Sequence, residues 1–330
     1  RSTGKMSMVI AQNGPGITGL VTPIKTAYWN HTPLLLVTPQ AANKTMGQGG
    51  FQEVEQMNLF KDMVCYQEEV RDPSRMAEVL NRVIEKAIRG SAPAQINVPR
   101  DYWTQVIDIE LPPIVRLERQ GGGAEAIDKA AKLLSNAKFP VILSGAGVVI
   151  GGAIEETKKL AEKLDSPVCS GYQHNDSFPG SHPLAVGPLG YNGSKAAMEL
   201  ISKADVVLAL GTRLNPFSTL PGYGIDYWPK NASIIQVDIN PDRIGLTKKV
   251  TVGISGDAKL VANQIFEKLS TNAGDTDRQQ RKDLIHQTKS AWLQKLSSLD
   301  HEEDDQGTVW NKEARERDKD RMSPRQAWRA

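Results

Sequence analysis

Residues 12–21, QNGPGITGLV, follow the apolar run MSMVIA and set Gly14, Gly16 and Gly19 in the G-x-G-x-x-G spacing. That spacing lets a strand-to-helix turn bring backbone amides against a dinucleotide pyrophosphate. Two neighbours argue against such chemistry. The fingerprint needs an acid about 20 residues on to hold the ribose hydroxyls, and the corresponding stretch, LLLVTPQ, has none. Pro15 also removes an N–H that could otherwise point at the anion. A second set, Gly145, Gly147 and Gly151 in SGAGVVIGG, follows a clearer strand and precedes a helical pattern, while Asp238 in VDINPDRIG could meet a ribose laid across the strand ends. The same glycines serve equally to let a helix pack tightly on a strand, and position alone leaves both readings open.

Other chemistries find little support. There is no G-x-S-x-G elbow and no H-E-x-x-H, and the five histidines are scattered. A triad hydrolase or a zinc enzyme is therefore disfavoured, and His31, His174 and His182 read as loop or interface residues.

The elements that must position these residues are legible from periodicity. SMVIAQ (7–12) and PLLLVT (33–38) are short continuous apolar runs bounded by Gly or Pro, as in buried parallel strands, with room for a crossover helix between them. In SRMAEVLNRVIEKAIRG (74–90), Met76, Val79, Leu80, Val83, Ile84 and Ala87 recur at helical spacing, with Ser74 as N-cap and Gly90 as stop. AQINVP (94–99) returns to strand. Breakers crowd residues 111–123, LPP and GGG included, which marks a linker between domains. Beyond it the rhythm restarts, with helices AEAIDKAAKLLSNA, AIEETKKLAEKL, SKAAMELISKA and AKLVANQIFEKL alternating with strands VILSG, PVCSG, DVVLAL and SIIQVDI. Alternation with short connections predicts two successive doubly wound α/β domains with parallel sheets.

Bulk properties narrow the partners. A chain of 330 residues has room for two cores. The formal net charge is +2, with both signs interleaved, so no electrostatic footprint for nucleic acid stands out. No apolar run approaches a membrane span, and the expected compartment is the cytoplasm. Cys65 and Cys169, the two cysteines, sit in apolar contexts and read as buried free thiols of a reducing compartment. From Ser270 to Arg321 the chain is dense in both charge signs, as in a solvated linker or exposed helix. SPRQAWRA (323–330) reads as the start of another helix.

Several blocks carry a resemblance. The run VIAQNGPGITGLVTPIKTAYWNHTPLLLVT, then GQGGFQEVEQ, then SAPAQINVPRD resembles the pyrimidine-binding domain of thiamine-diphosphate enzymes of the acetolactate synthase type. FPVILSGAGV, ADVVLALGTRLN and IIQVDINPDRIG resemble the central domain of that group. Within it, the long blocks from NHTPLLLVT to VRDPSR, from GYQHNDSFPG to YNGSK, and RLNPFSTLPGYGIDYWP are most similar to its sulfoacetaldehyde acetyltransferase branch. The domains are then expected at 1–115 (pyrimidine-binding, truncated at its N-terminus), 121–270 (central, Rossmann-like), 271–322 (charged linker) and 323–330 (start of a diphosphate-binding domain).

The resemblance implies an acyltransferase that uses thiamine diphosphate and Mg2+ to convert sulfoacetaldehyde and phosphate to acetyl phosphate and sulfite, as a homodimer or homotetramer. It implies that Pro15, in the turn Gly14-Pro15-Gly16, packs on the aminopyrimidine ring and that Gln52 sits beside the cofactor. The family's catalytic glutamate and its Gly-Asp-Gly metal motif are expected outside this chain; where acetolactate synthases close GPGATN with Asn, this chain has Gly19. For a substrate anion, Lys44 and the amides of MGQGGF are the local expectation, because a glycine loop lets backbone donors converge. The rival expectations are acetolactate synthase, whose central domain carries FAD, and a non-catalytic nucleotide-binding module. FAD is disfavoured because GTRLNPFSTLPGYGIDYW departs from the acetolactate synthase pattern.

Overall fold

The computed structural model describes residues 5–113, 118–270 and 275–298. The chain divides into two compact units, Arg1–Leu117 and Glu118–Ala330, each built on its own parallel sheet.

In the first unit the chain runs β1 (Ser7–Ile10), α1 (Pro15–Thr18), α2 (Val21–Trp29), β2 (Leu34–Gln40), α3 (Gln56–Phe60), β3 (Tyr66–Glu69), α4 (Met76–Gly90) and β4 (Pro93–Pro99). The sheet order is β1-β2-β4-β3, all pairs parallel, with Leu34 opposite Pro93 and Ser7 opposite Leu34. All of β4 and most of β2 are buried, as a parallel strand covered on both faces requires. Val79, Val83 and Ala87 on α4 pack on one face against Leu35, Val37 and Ile96. On the other face Ile17, Ile24 and Phe60 close over Leu36. Helix α4 differs at both ends from its sequence reading. Arg75, at the N-cap of α4 itself, makes no side-chain cap bond. Ser74 lies within a 3₁₀ turn, Pro73–Arg75, that leads into α4, and Asp72 caps that turn, accepting from the Ser74 amide at 2.9 Å. A carboxylate is the stronger acceptor. Gly90 lies inside the helix, and Ser91 makes the left-handed exit with φ 45°.

The second unit runs α5 (Ala124–Ser135), β5 (Pro140–Ser144), α6 (Ala146–Gly151), α7 (Ile154–Leu164), β6 (Val168–Ser170), β7 (Ala185–Pro188), α8 (Lys195–Ile201), β8 (Val206–Leu210), β9 (Ser233–Asp238), β10 (Val252–Ser255), α9 (Ala258–Lys268) and α10 (Asp275–Ser298). Its six parallel strands lie in the order β10-β9-β8-β5-β6-β7. This is the doubly wound Rossmann order, with the switch point between β5 and β8. Those two central strands are wholly buried.

Residues 275–298, read from their charge as linker or exposed helix, form α10, which is fastened to this unit. Ile285 is buried in the core, with Leu284 packed beside it. The Arg281 guanidinium, itself buried, donates to the carbonyls of Leu164 (2.5 Å) and Lys138 (2.7 Å). Arg278 and Lys282 both meet Asp165, at 2.5 and 3.1 Å. Farther along, Lys289 donates to the His182 carbonyl and the Trp292 ring meets Tyr223 edge-on at 5.5 Å. The rest of the expected linker, 271–274 and 299–322, and the expected helix at 323–330 lie outside the described residues.

Candidate active site

The carboxyl ends of β1, β2 and β4 feed three segments at one edge of the first sheet: the turn 12–16, the loop 41–55, and Arg100–Asp101. Ligands of open parallel sheets collect at this edge.

Gly14 takes φ 73° and ψ −117° just ahead of α1, a region open to glycine and strained for other residues. Space imposes the same choice. A Cβ on Gly14 would lie 2.8 Å from both the Cβ and the carbonyl oxygen of Gln52. Pro15 follows at the first helical position, where its missing N–H costs nothing, and its ring is exposed. Gly16 is also confined, since its Cβ would come to 3.3 Å from that of Ala11. Ile17, fully buried, anchors the turn in the core.

Gln52 comes to this turn from 40 residues away. Its side-chain oxygen accepts from Gln12 Nε2 at 2.8 Å, and its carbonyl accepts from Asn13 Nδ2 at 3.2 Å. Its backbone is left-handed, φ 62°. The structure therefore brings Gly14, Pro15, Gly16 and Gln52 together.

Lys44 is exposed, and its carbonyl accepts from Gln48 Nε2. The glycine amides expected to join it on an anion face elsewhere. Those of Gly47 (2.5 Å) and Gly50 (3.0 Å) donate to the two carboxylate oxygens of Glu53. The reason is geometric: Gly47 and Gly49, at φ 82° and 70°, turn the loop's amides inward, and the nearest anion is three residues downstream. The only sequence signal for Glu53 is its place in FQE directly after the pair Gly49-Gly50. The Gly47 amide first, then that of Gly50, holds the Glu53 carboxyl below the usual range. A depressed carboxylate contributes its stabilisation in full above the ordinary glutamate pKa and loses it as pH falls through the lowered folded value. Hydrogen exchange followed between pH 6 and about 3 should show residues 45–52 opening only at the acid end; opening already near neutrality would contradict this assignment.

A buried polar layer supports the loop from below. Gln56 donates to the Pro39 carbonyl (2.6 Å), and Gln40 Oε1 accepts from the Ala41 amide (2.9 Å). Beneath them Gln95 donates to Thr38 Oγ1, Thr38 to Asn97 Oδ1, and Asn97 to Glu69. Both ends of the loop are thereby tied to the sheet. Asn43 is held in addition by Asp101.

In the second unit the glycines at the switch point pack on each other. The Gly145 amide donates to Leu210 O (3.0 Å) and the Gly147 amide to Gly211 O (2.8 Å). A Cβ on Gly147 would come to 2.7 Å from Gly211 Cα. The packing role left open by the sequence is thus occupied, and the Gly147 amide is spent on protein. Asp238 accepts from the Asn240 amide at 2.9 Å; burial raises its pKa against the pull of Arg243 and Arg213.

The cysteines require one correction. Cys169 is buried, and burial pushes its thiol pKa up, but Cys65 is exposed. It lies just ahead of the edge strand β3, where its apolar neighbour Val64 takes the inward place. Although the residue is exposed, its sulfur lies against Gly90 and the Lys86 carbonyl, and this local desolvation raises the Cys65 thiol pKa. Among the described residues no three His, Cys, Asp or Glu side chains cluster to hold a metal, and no helix is long and apolar enough to cross a membrane.

Comparison with known proteins gives the family. The model of the N-terminal TPP-binding domain of thiamine pyrophosphate enzymes matches residues 1–59, which hold the whole turn and Gln52, and that of their central domain matches residues 127–265. The solved benzoylformate decarboxylase of Polynucleobacter necessarius superposes with a TM-score of 0.73 at 22% identity over 84% of this chain and 52% of that one, a likeness of fold. The chain belongs to the thiamine pyrophosphate enzymes. Over its entire length it is 78% identical to the sulfoacetaldehyde acetyltransferase of Roseovarius nubinhibens and 77% identical to the probable sulfoacetaldehyde acetyltransferase of Rhizobium meliloti. Identity to the probable acetolactate synthase large subunit of Methanocaldococcus jannaschii is 34% over 91% of the chain and 49% of that protein. The chain spans about half the length of the curated relatives it matches, 55% and 56% for the first two.

Proposed function

We propose that this chain forms part of a thiamine-diphosphate-dependent acyltransferase that converts sulfoacetaldehyde and phosphate to acetyl phosphate and sulfite. The carrying observation is the identity of 77–78% to relatives of that name against 34% to an acetolactate synthase subunit. The reaction needs no outside oxidant. The aldehyde carbon gives up its proton and rises to the acyl level, the electron pair so released expels sulfite from the neighbouring carbon, a proton completes the methyl group there, and a phosphate oxygen takes the acyl group.

The residues present fit the pyrimidine half of the cofactor. An exposed proline ring stands beside a side-chain amide at a sheet's carboxyl edge, on a turn whose first residue has no room for a Cβ. Pro15 would pack on the ring, and Gln52, its carbonyl and amide oxygens already engaged by Asn13 and Gln12, would offer its NH2 to the ligand. Bound thiamine diphosphate supplies an electron sink, and the protein orients reactants and excludes water. Mg2+ and the diphosphate would be held by residues outside this chain. The full-length enzyme is proposed as a cytoplasmic homodimer or homotetramer without flavin.

With the Gly47 and Gly50 amides taken by Glu53 and those of Met46 and Gln48 by the Ala42 and Thr45 carbonyls, Lys44 is the cation of the expected anion site. In the full-length enzyme Lys44→Ala should raise the apparent KM for phosphate or for sulfoacetaldehyde by about tenfold, the scale of one charge-assisted contact. Unchanged values for both would remove Lys44 from the site. The function itself is tested by sulfite release: full-length enzyme given sulfoacetaldehyde and phosphate should liberate sulfite only when thiamine diphosphate is supplied, and failure to do so would end this reading.

A further inference from the structure

Gln52 is a non-glycine residue held at φ 62°, a conformation that persists only where its surroundings enforce it. On one side the enforcement comes from the turn, through Gln12, Asn13 and the bare Cα of Gly14. On the other side stands the next residue, Glu53, whose two carboxylate oxygens take the amides of Gly47 and Gly50. These bonds close residues 47–53 into a ring. Gly47, Gly49 and Gly50 would otherwise leave the middle of the loop free to open, because glycine has the most backbone freedom to regain. The loop's ends are fixed independently, by Gln40, Gln56 and the Asn43–Asp101 pair.

We propose that Glu53 is a positioning residue: its carboxylate clips the glycine loop 47–50 shut and so holds Gln52 against the Gly14-Pro15-Gly16 turn in the geometry that receives the pyrimidine of thiamine diphosphate. The clip stands on the contacts above; its ligand rests on the functional reading just given. Because the ends of the loop are anchored elsewhere, loss of the carboxylate releases the middle of the loop and leaves the fold intact.

The test uses the full-length enzyme and the near-isosteric Glu53→Gln, whose NH2 must oppose one of the two amides, with Glu55→Gln, the same change at an exposed acid of the same loop that makes no side-chain cap bond, as a control. Amide hydrogen exchange of residues 45–52 in the cofactor-free protein should quicken by about tenfold in Glu53→Gln and not in the control, with the thermal midpoint unchanged. Thiamine diphosphate affinity, titrated by calorimetry with Mg2+, should fall by about tenfold, while kcat at saturating cofactor falls much less. Unchanged exchange would overturn the clip. Faster exchange with unchanged affinity would overturn its positioning role, and faster exchange throughout the protein with a lowered midpoint would reduce Glu53 to general stability. If the wild-type enzyme itself binds no thiamine diphosphate, the functional reading and the positioning role fail together, whereas the exchange result still decides whether the clip exists.

Discussion

Gly14→Ala is expected to cost about 2–5 kcal/mol of stability in the first unit and to weaken thiamine diphosphate binding by the full-length enzyme at least ~100-fold. Two independent causes act at this one position. A backbone at φ 73° and ψ −117° strains any residue with a Cβ, and the new methyl would stand 2.8 Å from two Gln52 atoms. Relief requires the turn and Gln52 to separate, which breaks the bonds from Gln12 and Asn13 and dismantles the site. Gly19→Ala provides the contrast. Gly19 has φ −63° and its nearest would-be neighbour is at 3.5 Å, so alanine should be neutral or stabilising by up to about 1 kcal/mol. Thermal unfolding and calorimetric titration of both variants check the pair. Similar behaviour of the two would contradict the geometry.

Arg281→Ala should loosen the attachment of α10 to the second unit. The guanidinium is buried and bonded to two carbonyls, those of Leu164 and Lys138. Its removal strands both acceptors and empties the space of a long side chain, a loss of about 2–4 kcal/mol. Asp165 would keep Arg278 and Lys282, so part of the attachment should survive. Arg281→Met retains the apolar stem and should lose distinctly less; the gap between the two variants measures the packing of the stem, and the loss that remains in Arg281→Met measures the hydrogen bonds. Proteolysis and hydrogen exchange confined to residues 275–298 are the proper readout, because a multidomain protein need not unfold in one step. Equal protection of α10 in wild type and Arg281→Ala would refute the assignment.

These two positions show what a sequence reveals and what it conceals. PVILS and VVLAL announce buried parallel strands because both faces must be apolar, and they form β5 and β8 at the centre of their sheet. Gly14, Pro15 and Gln52 could be gathered from the resemblance, but the bond that ties Gln52 to this turn, through Gln12, spans 40 residues and only folding brings it about. Helix α10 was obscured by its own charges. Its sequence advertises solvent, yet Arg281 and Ile285 turn inward, and no local pattern tells a buried arginine from an exposed one. β3, with the sequence YQEE, has no hydrophobic alternation to betray it; it is a strand because β4 offers it an edge. Glu53 was hidden for a different reason: a lone acid beside glycines reads as surface until the loop's positive φ angles show where its amides point.

The account turns on substrate. A single preparation of the full-length enzyme, supplied with thiamine diphosphate, Mg2+ and phosphate, should be offered sulfoacetaldehyde and pyruvate in parallel. We expect sulfite and acetyl phosphate in equal amounts from the first and no acetolactate from the second; acetolactate formed from pyruvate, with sulfoacetaldehyde left unconsumed, would contradict the proposed function.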